Sequence, residues 1–146
     1  MTVKEKARKY CVYQERNQQE VRNKLYEWGL HKKEVEETIS DLINENFINE
    51  ERFAIAYAGG KFRMKQWGKI KIKMALQQKK VSDYCIRKAL SQIDNRDYQK
   101  TLEKIINTYS KKITEKHPIK RKYKIAQYII GRGFESDLVW ETLKFD

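Results

Sequence analysis

Apolar residues recur along this chain at helical spacing, and three blocks of them share one register. Around Leu25 the pattern runs Val21 four before, Gly29 four after, Leu30 five after, Val35 ten after and Ile39 fourteen after. Around Leu76 the same offsets fall on Ile72, Lys80, Val81, Ile86 and Leu90. Around Ile129 they fall on Ile125, Gly133, Phe134, Val139 and Leu143. The anchors stand 51 and 53 residues apart. Each block reads as a helix, a tight turn at the Gly or Lys position, and a second helix packed back on the first.

An additional helix precedes each pair, over residues 4–15, 50–66 and about 95–115. In the first, Ala7, Tyr10, Cys11 and Val12 form the apolar side. Asn17 is placed to cap the second helix, with Glu20 in capping-box position, and Gly29 stops it just after Trp28. A third helix follows His31 and buries Val35, Ile39, Leu42 and Ile43. Asn49 caps the fourth, where Phe53, Ala56, Tyr57 and Gly60 share a side, Gly59-Gly60 weakens it without ending it, and Trp67-Gly68 breaks it. Residues 69–74 alternate Lys-Ile-Lys-Ile-Lys-Met, a strand pattern, but there is no second alternating run to pair with. Ile72, Ala75 and Leu76 fit a helix, which is the reading adopted. The chain is thus expected to be all-α. It is read as three tandem three-helix, helix-turn-helix-like repeats over 1–48, 49–94 and 95–146, stacked into an elongated, curved array.

Composition supports this. One Pro and six Gly leave few breakers, and 40% apolar residues at regular spacing argue against disorder despite a mean hydropathy of −0.88. Charge adds more. The formal net charge is +12, and it is uneven: residues 1–50 carry nine basic and ten acidic groups, 51–97 twelve and four, and 98–146 eleven and six. Between Lys61 and Lys80 lie eight Lys or Arg and no Asp or Glu. Such a face is suited to a polyanion. Lys61, Arg63, Lys65, Lys69, Lys71 and Lys73 are the first set of candidate filament or nucleic-acid contacts, with Lys79 and Lys80 enlarging the field. Lys111, Lys112, Lys120, Arg121, Lys122 and Lys124, with Lys116, form a second set one repeat later. Phe62, Trp67 and Tyr123 are interleaved with these cations and could stack on bases; core packing is the role expected of each.

Nothing in the sequence spells a catalytic constellation. There is no phosphate-cradling GxxxxGK[ST], no HExxH and no nucleophile elbow. His31 and His117 read as surface or capping residues. Glu37 and Asp41 share a side with Glu34 and Glu36 nearby, but Lys32 and Lys33 accompany them, so a solvated face is expected in place of a metal-dependent nuclease site. Gly131-Arg132-Gly133 resembles half of a phosphate loop, yet the repeat register makes Gly133 a turn residue. Cys11 and Cys85 are isolated, without metal-ligand spacing, and read as buried apolar residues in a reducing cytoplasm. The N-terminus lacks the apolar core of a signal peptide, and no apolar run is long enough to span a membrane.

Assembled, this pattern resembles the RecX family over nearly the whole chain. The most specific stretch is Phe47-Ile48-Asn49-Glu50-Glu51-Arg52-Phe53-Ala54, similar to the family's junction of a hydrophobic residue, Asp-Asp/Glu, and Phe-Ala. Trp67-Gly68, Ile72, Leu76 and Val81 fit its second repeat, Arg132-Gly133-Phe134 its last, and Arg16-Asn17-Gln18-Gln19-Glu20-Val21 its first. Asn17 and Asn49 replace the more usual Ser and Asp and can still cap. Lys80 replaces the usual turn Gly and is expected to loosen or reshape that turn. The resemblance implies a non-enzymatic, cytoplasmic regulator that lodges in the groove of the RecA filament on single-stranded DNA. There it would limit recombinase and coprotease activity in DNA repair and the SOS response. No cofactor, metal or membrane is expected, bare nucleic acid should bind weakly and without sequence preference, and the chain should be monomeric. The alternative from a different class is a helix-turn-helix protein acting on duplex DNA.

Overall fold

A computed structural model describes residues 1–144; the end of the third repeat, at 145 and 146, lies outside the described residues. Among the described residues the fold is helical without a strand. The helices are α1 (Val3–Tyr13), α2 (Gln18–Glu27), α3 (Lys32–Asn44), α4 (Glu50–Lys65), α5 (Lys69–Gln78), α6 (Asp83–Ser91), α7 (Asn95–Lys112), α8 (Pro118–Gly131) and α9 (Ser136–Leu143). The stretch of alternating Lys and Ile is the start of α5, as expected. The Asn caps also form: the Asn17 side-chain oxygen accepts from the Glu20 N–H at 2.7 Å, and that of Asn49 from the Arg52 N–H at 2.8 Å. Thr2 and Glu5 make a reciprocal capping box on α1.

The shared register is buried as read. Val21, Leu25, Val35, Ile39, Ile72, Leu76, Val81, Ile86, Ile125, Ile129, Phe134, Val139 and Leu143 are all in the core, and only Leu30 and Leu90 stay half-exposed. The turn is the same in each copy. Gly29, Lys80 and Gly133 all take positive φ, at 92°, 61° and 98°. The residue after each turn donates its N–H back to the anchor: Leu30 to Leu25 at 3.2 Å, Val81 to Leu76 at 3.1 Å, Phe134 to Ile129 at 3.5 Å. This is the helix-ending pattern that a left-handed residue makes possible. Lys80 therefore does not reshape its turn; it adopts the glycine conformation, because the surrounding hydrogen bonds require it.

Some faces differ from the sequence reading. Val12 is 74% exposed, because the buried stripe of α1 is only Ala7 and Cys11, one turn apart, and Val12 is rotated off it. Ile43 is 40% exposed at the edge of the α3 stripe of Val35, Ile39 and Leu42. On α4, Phe53 is buried as expected, but the stripe continues through Ala54, Ala58 and Phe62; Ala56 is exposed, and Tyr57 and Gly60 are half-buried. α1 ends two residues earlier than read, at Tyr13, and α7 at Lys112.

The chain divides into two compact units, Met1–Ala56 and Tyr57–Asp146. Unit 1 is built on Ala7, Cys11, Val21, Leu25, Val35, Ile39, Leu42 and Ile48, with Tyr10, Trp28 and Phe47 against its edge. Cys11 lies within this core, and burial pushes its thiol pKa up. Glu15 pairs with the Arg52 guanidinium, which also donates to the Asn46 and Phe47 carbonyls that follow α3.

Unit 2 contains a joint made largely of main chain. α5 starts at Gly68, which has no side chain to cap the helix. Its first three amides go instead to the other half of the unit: Gly68 N–H to the Arg132 carbonyl, Lys69 N–H to the Tyr98 hydroxyl and Ile70 N–H to the Gly133 carbonyl, each at 2.9 Å. The helix start thus receives the carbonyls of the α8–α9 turn, head to tail, which satisfies the orphan groups of both. Arg132 returns the contact, donating to the Lys65 and Gln66 carbonyls where α4 ends. The approach is close enough to need glycine on both sides. A methyl group on Gly68 would stand 2.2 Å from the Gly133 carbonyl carbon, and one on Gly133 would stand 2.3 Å from the Lys71 Cβ. Beside the joint, Tyr98 lies between Phe62 and Phe134 at ring separations of 5.7 and 5.0 Å, and its hydroxyl donates to Glu135. Burial, and then the Glu135 carboxylate, hold the Tyr98 pKa far above the ordinary tyrosine range.

These turns and this joint can be tested by substitution. Gly133→Ala combines a left-handed backbone with a clash, so it should lower the unfolding free energy in urea by about 3 kcal/mol or more. Lys80→Gly relieves the left-handed strain at an exposed turn position. It should raise stability by about 0.5–1 kcal/mol, after the extra unfolded-state entropy of glycine is offset; a loss would remove the strain argument. Tyr98 predicts an alkaline effect. The folded protein keeps the phenol proton above the pH, about 10, at which an unfolded tyrosine loses it. Its contribution is therefore complete below that pH and falls by about 1.4 kcal/mol per pH unit above it. Tyr98→Phe should lose about 1–2 kcal/mol at neutral pH and show a shallower alkaline decline by chemical denaturation.

Candidate nucleic-acid interface

The division into units sorts the charge. Unit 1 holds ten basic and eleven acidic residues, net −1, and unit 2 holds 22 and nine, net +13. Ion pairing is sorted the opposite way. Among the described residues, unit 1 contains Lys4–Asp41, Lys4–Glu45, Arg8–Glu45, Arg22–Glu36, Lys24–Glu27 and Arg52–Glu15, whereas unit 2 contains only Lys124–Glu115. The paired carboxylates feel their partners: Arg22, Arg8 and Lys124 hold Glu36, Glu45 and Glu115 below the usual carboxylate range. Of the α3 acidic cluster, Glu36 and Asp41 are thus paired with cations of α2 and α1, as is Glu45 just past the helix end. Among the described residues no group of three or more His, Cys, Asp or Glu is placed to hold a metal ion, and no helix is long and apolar enough to cross a membrane. His117 caps α8, its Nδ1 accepting from the Lys120 N–H at 3.4 Å, and His31 precedes α3 without a side-chain cap bond.

The first basic set occupies the end of α4, α5 and the connection between them. Arg63, Lys65, Lys71 and Lys73 are exposed, and Lys61 and Lys69 are half-buried. Their surroundings differ. The Lys61 ammonium lies 5.5 Å from the Tyr57 ring centre and 5.1 Å from that of Trp67. Lys71 lies 4.6 Å from the Trp67 centre, and Lys79 lies 5.6 Å from that of Tyr57. Lys69 is held 4.7 Å above Tyr98, inside the joint between the repeats. Reversing its charge would set a carboxylate against the electron-rich Tyr98 ring, so Lys69 is a structural position as well as a basic one.

The second set lies on the end of α7, the loop after it and α8. Lys111, Lys112, Lys116, Lys120 and Lys122 are exposed. Arg121 is committed to structure, donating to the Ser110, Ile113 and Glu115 carbonyls where α7 ends. Lys124 is paired with Glu115 at 3.0 Å. Of the three interleaved aromatics, Phe62 is buried and Trp67 half-buried, while Tyr123 is 57% exposed and meets Trp140 edge-on. Tyr109 and Tyr128, not singled out by sequence, stack at 4.0 Å. Sequence spacing marks Tyr57 only as a packing residue; its four-residue offset from Lys61 is the available signal for their contact.

The family described as RecX, second three-helix domain, matches residues 49–90. The Regulatory protein RecX of Clostridium acetobutylicum is 32% identical over 135 residues, covering 88% of this chain and 61% of the relative. The protein of that name from Streptococcus uberis is 31% identical, covering 89% and 50%. The chain thus spans about half to three-fifths of the length of these curated relatives. The crystal structure of RecX from Lactobacillus salivarius superposes with a TM-score of 0.78 at 26% identity, over 97% of this chain and 92% of that one. A matching domain, relatives of one name and a shared helical fold agree: the chain belongs to the RecX family.

Proposed function

We propose that the protein is a non-enzymatic regulator that binds the RecA filament on single-stranded DNA and limits its recombinase and coprotease activities, acting in the cytoplasm in DNA repair and the SOS response. The observation that carries this reading is the unneutralised positive charge of unit 2. Cations without internal partners, on a helical scaffold, retain their field for an external polyanion. The printed name of the relatives, a regulatory protein, supports the same class of role, and the RecA partner is what membership of the family implies.

The test is titration into preformed RecA filaments on single-stranded DNA, following ATPase rate and filament length. Both should fall as protein is added. Arg63, Lys65 and Lys73 are the positions to reverse, since all three are exposed. Changing them together to Glu should weaken inhibition at least about tenfold while leaving helix content and melting temperature near the parent values. No response of the filament at saturating protein, or tight and salt-insensitive preference for one duplex sequence, would sink the filament reading.

A further inference from the structure

Cation–ring contacts in unit 2 link five side chains in series, a row in order of contact: Lys79, Tyr57, Lys61, Trp67 and Lys71. Each neighbouring pair in that row is a cation beside a ring, at 5.6, 5.5, 5.1 and 4.6 Å to the ring centre. The row draws on the second half of α4, the connection to α5, the first turn of α5 and the residue just past its end. Three ammonium groups are gathered here, and none forms an ion pair among the described residues. What holds them is the electron-rich ring face. A ring positions an ammonium without cancelling its charge, whereas a carboxylate would do both. The lysines are therefore drawn together by the rings with no carboxylate to cancel their field.

We infer that this row is a contact for single-stranded nucleic acid. A single strand alternates phosphate and flat base, as the row alternates cation and ring. A base that stacks on Tyr57 or Trp67 displaces an ammonium from the ring toward the adjoining phosphate, an exchange that an acidic peptide without flat groups cannot make. Lysine suits the phosphates as a point charge, without the fixed fork that specifies one carboxylate geometry. Contact through phosphates and ring faces also predicts tolerance of any base sequence. The inference deepens the filament reading, on which it rests, by naming the strand itself as what this part of unit 2 touches.

The experiment is binding of the full chain to a fluorescent oligothymidylate by anisotropy, across a salt series. Each phosphate neutralised on a single strand contributes a slope of about −0.7 in log affinity against log salt. Changing Lys61, Lys71 and Lys79 together to Gln should therefore make the slope shallower by about 2. The single variants, which carry less risk to folding, should each change it by about 0.7. Trp67→Phe keeps a ring and should retain most of the affinity, while Trp67→Leu should lose roughly 5- to 100-fold with the slope little changed. The inference is overturned if the three Gln variants, singly and together, keep the parental slope. It is also overturned if polyglutamate competes as well as oligothymidylate and loses binding through the same substitutions. Failure of the two readings separates cleanly: the slope is measured without RecA. A parental protein that leaves filaments untouched but shows the lysine-dependent slope removes the filament role and keeps the strand contact.

Discussion

Unit 2 depends on the satisfaction of peptide groups where one helix begins and others end. Every helix start has N–H groups without intrahelical partners. α5 cannot satisfy them from its own cap, because Gly68 has no side chain. The C-terminal turn of α8 and the hydroxyl of Tyr98 supply the missing acceptors, and Arg132 supplies donors to the end of α4 in return. The absence of a side chain at Gly68 is thus both the reason α5 needs help and the reason help can come so close. Phe62, Tyr98 and Phe134 then pack beside a contact whose position the backbone has already set.

This arrangement leaves the surface free for charge. In unit 1 Lys4, Arg8, Arg22, Lys24 and Arg52 are paired with carboxylates, and the net charge is close to zero. In unit 2 the fold is held by apolar residues, main-chain bonds and two committed arginine anchors, Arg132 and Arg121. Apart from Lys124, its remaining cations form no ion pair among the described residues. Rings take over the task of positioning several of them. A strongly basic domain pays in self-repulsion, and attraction to ring faces lowers that cost without removing the field.

The apolar register was legible in the sequence because burial repeats with the helix, and Val21, Ile72 and Ile125 show it equally. The left-handed turn was legible at Gly29 and Gly133. At Lys80 the residue identity pointed away from it, and the hydrogen bonds to Leu76 and Gln77 prevailed. The joint was not legible. Trp67-Gly68 and Arg132-Gly133-Phe134 stood out as motifs, but a glycine records only that a side chain is missing, never what fills the space. Tyr98 had no visible partner either, since Glu135 is far along the chain. Among the basic residues, number and location could be read, but not the commitment of Arg121 to carbonyls or of Lys69 to the Tyr98 ring. Charge patterns reveal where cations are dense; which of them are spare is decided by neighbours from other helices.

A joint built from peptide groups has an evolutionary side. Amides and carbonyls are the same whatever side chains a lineage carries, so the joint asks its descendants to preserve two vacancies, at Gly68 and Gly133, and little chemistry. Charges on the helix surfaces around it can be gained, lost or moved without touching the peptide groups that set the joint. Variation is graded on the surface and all-or-none at the seam. A family organised this way can diverge widely in its contacts and still present them from the same frame.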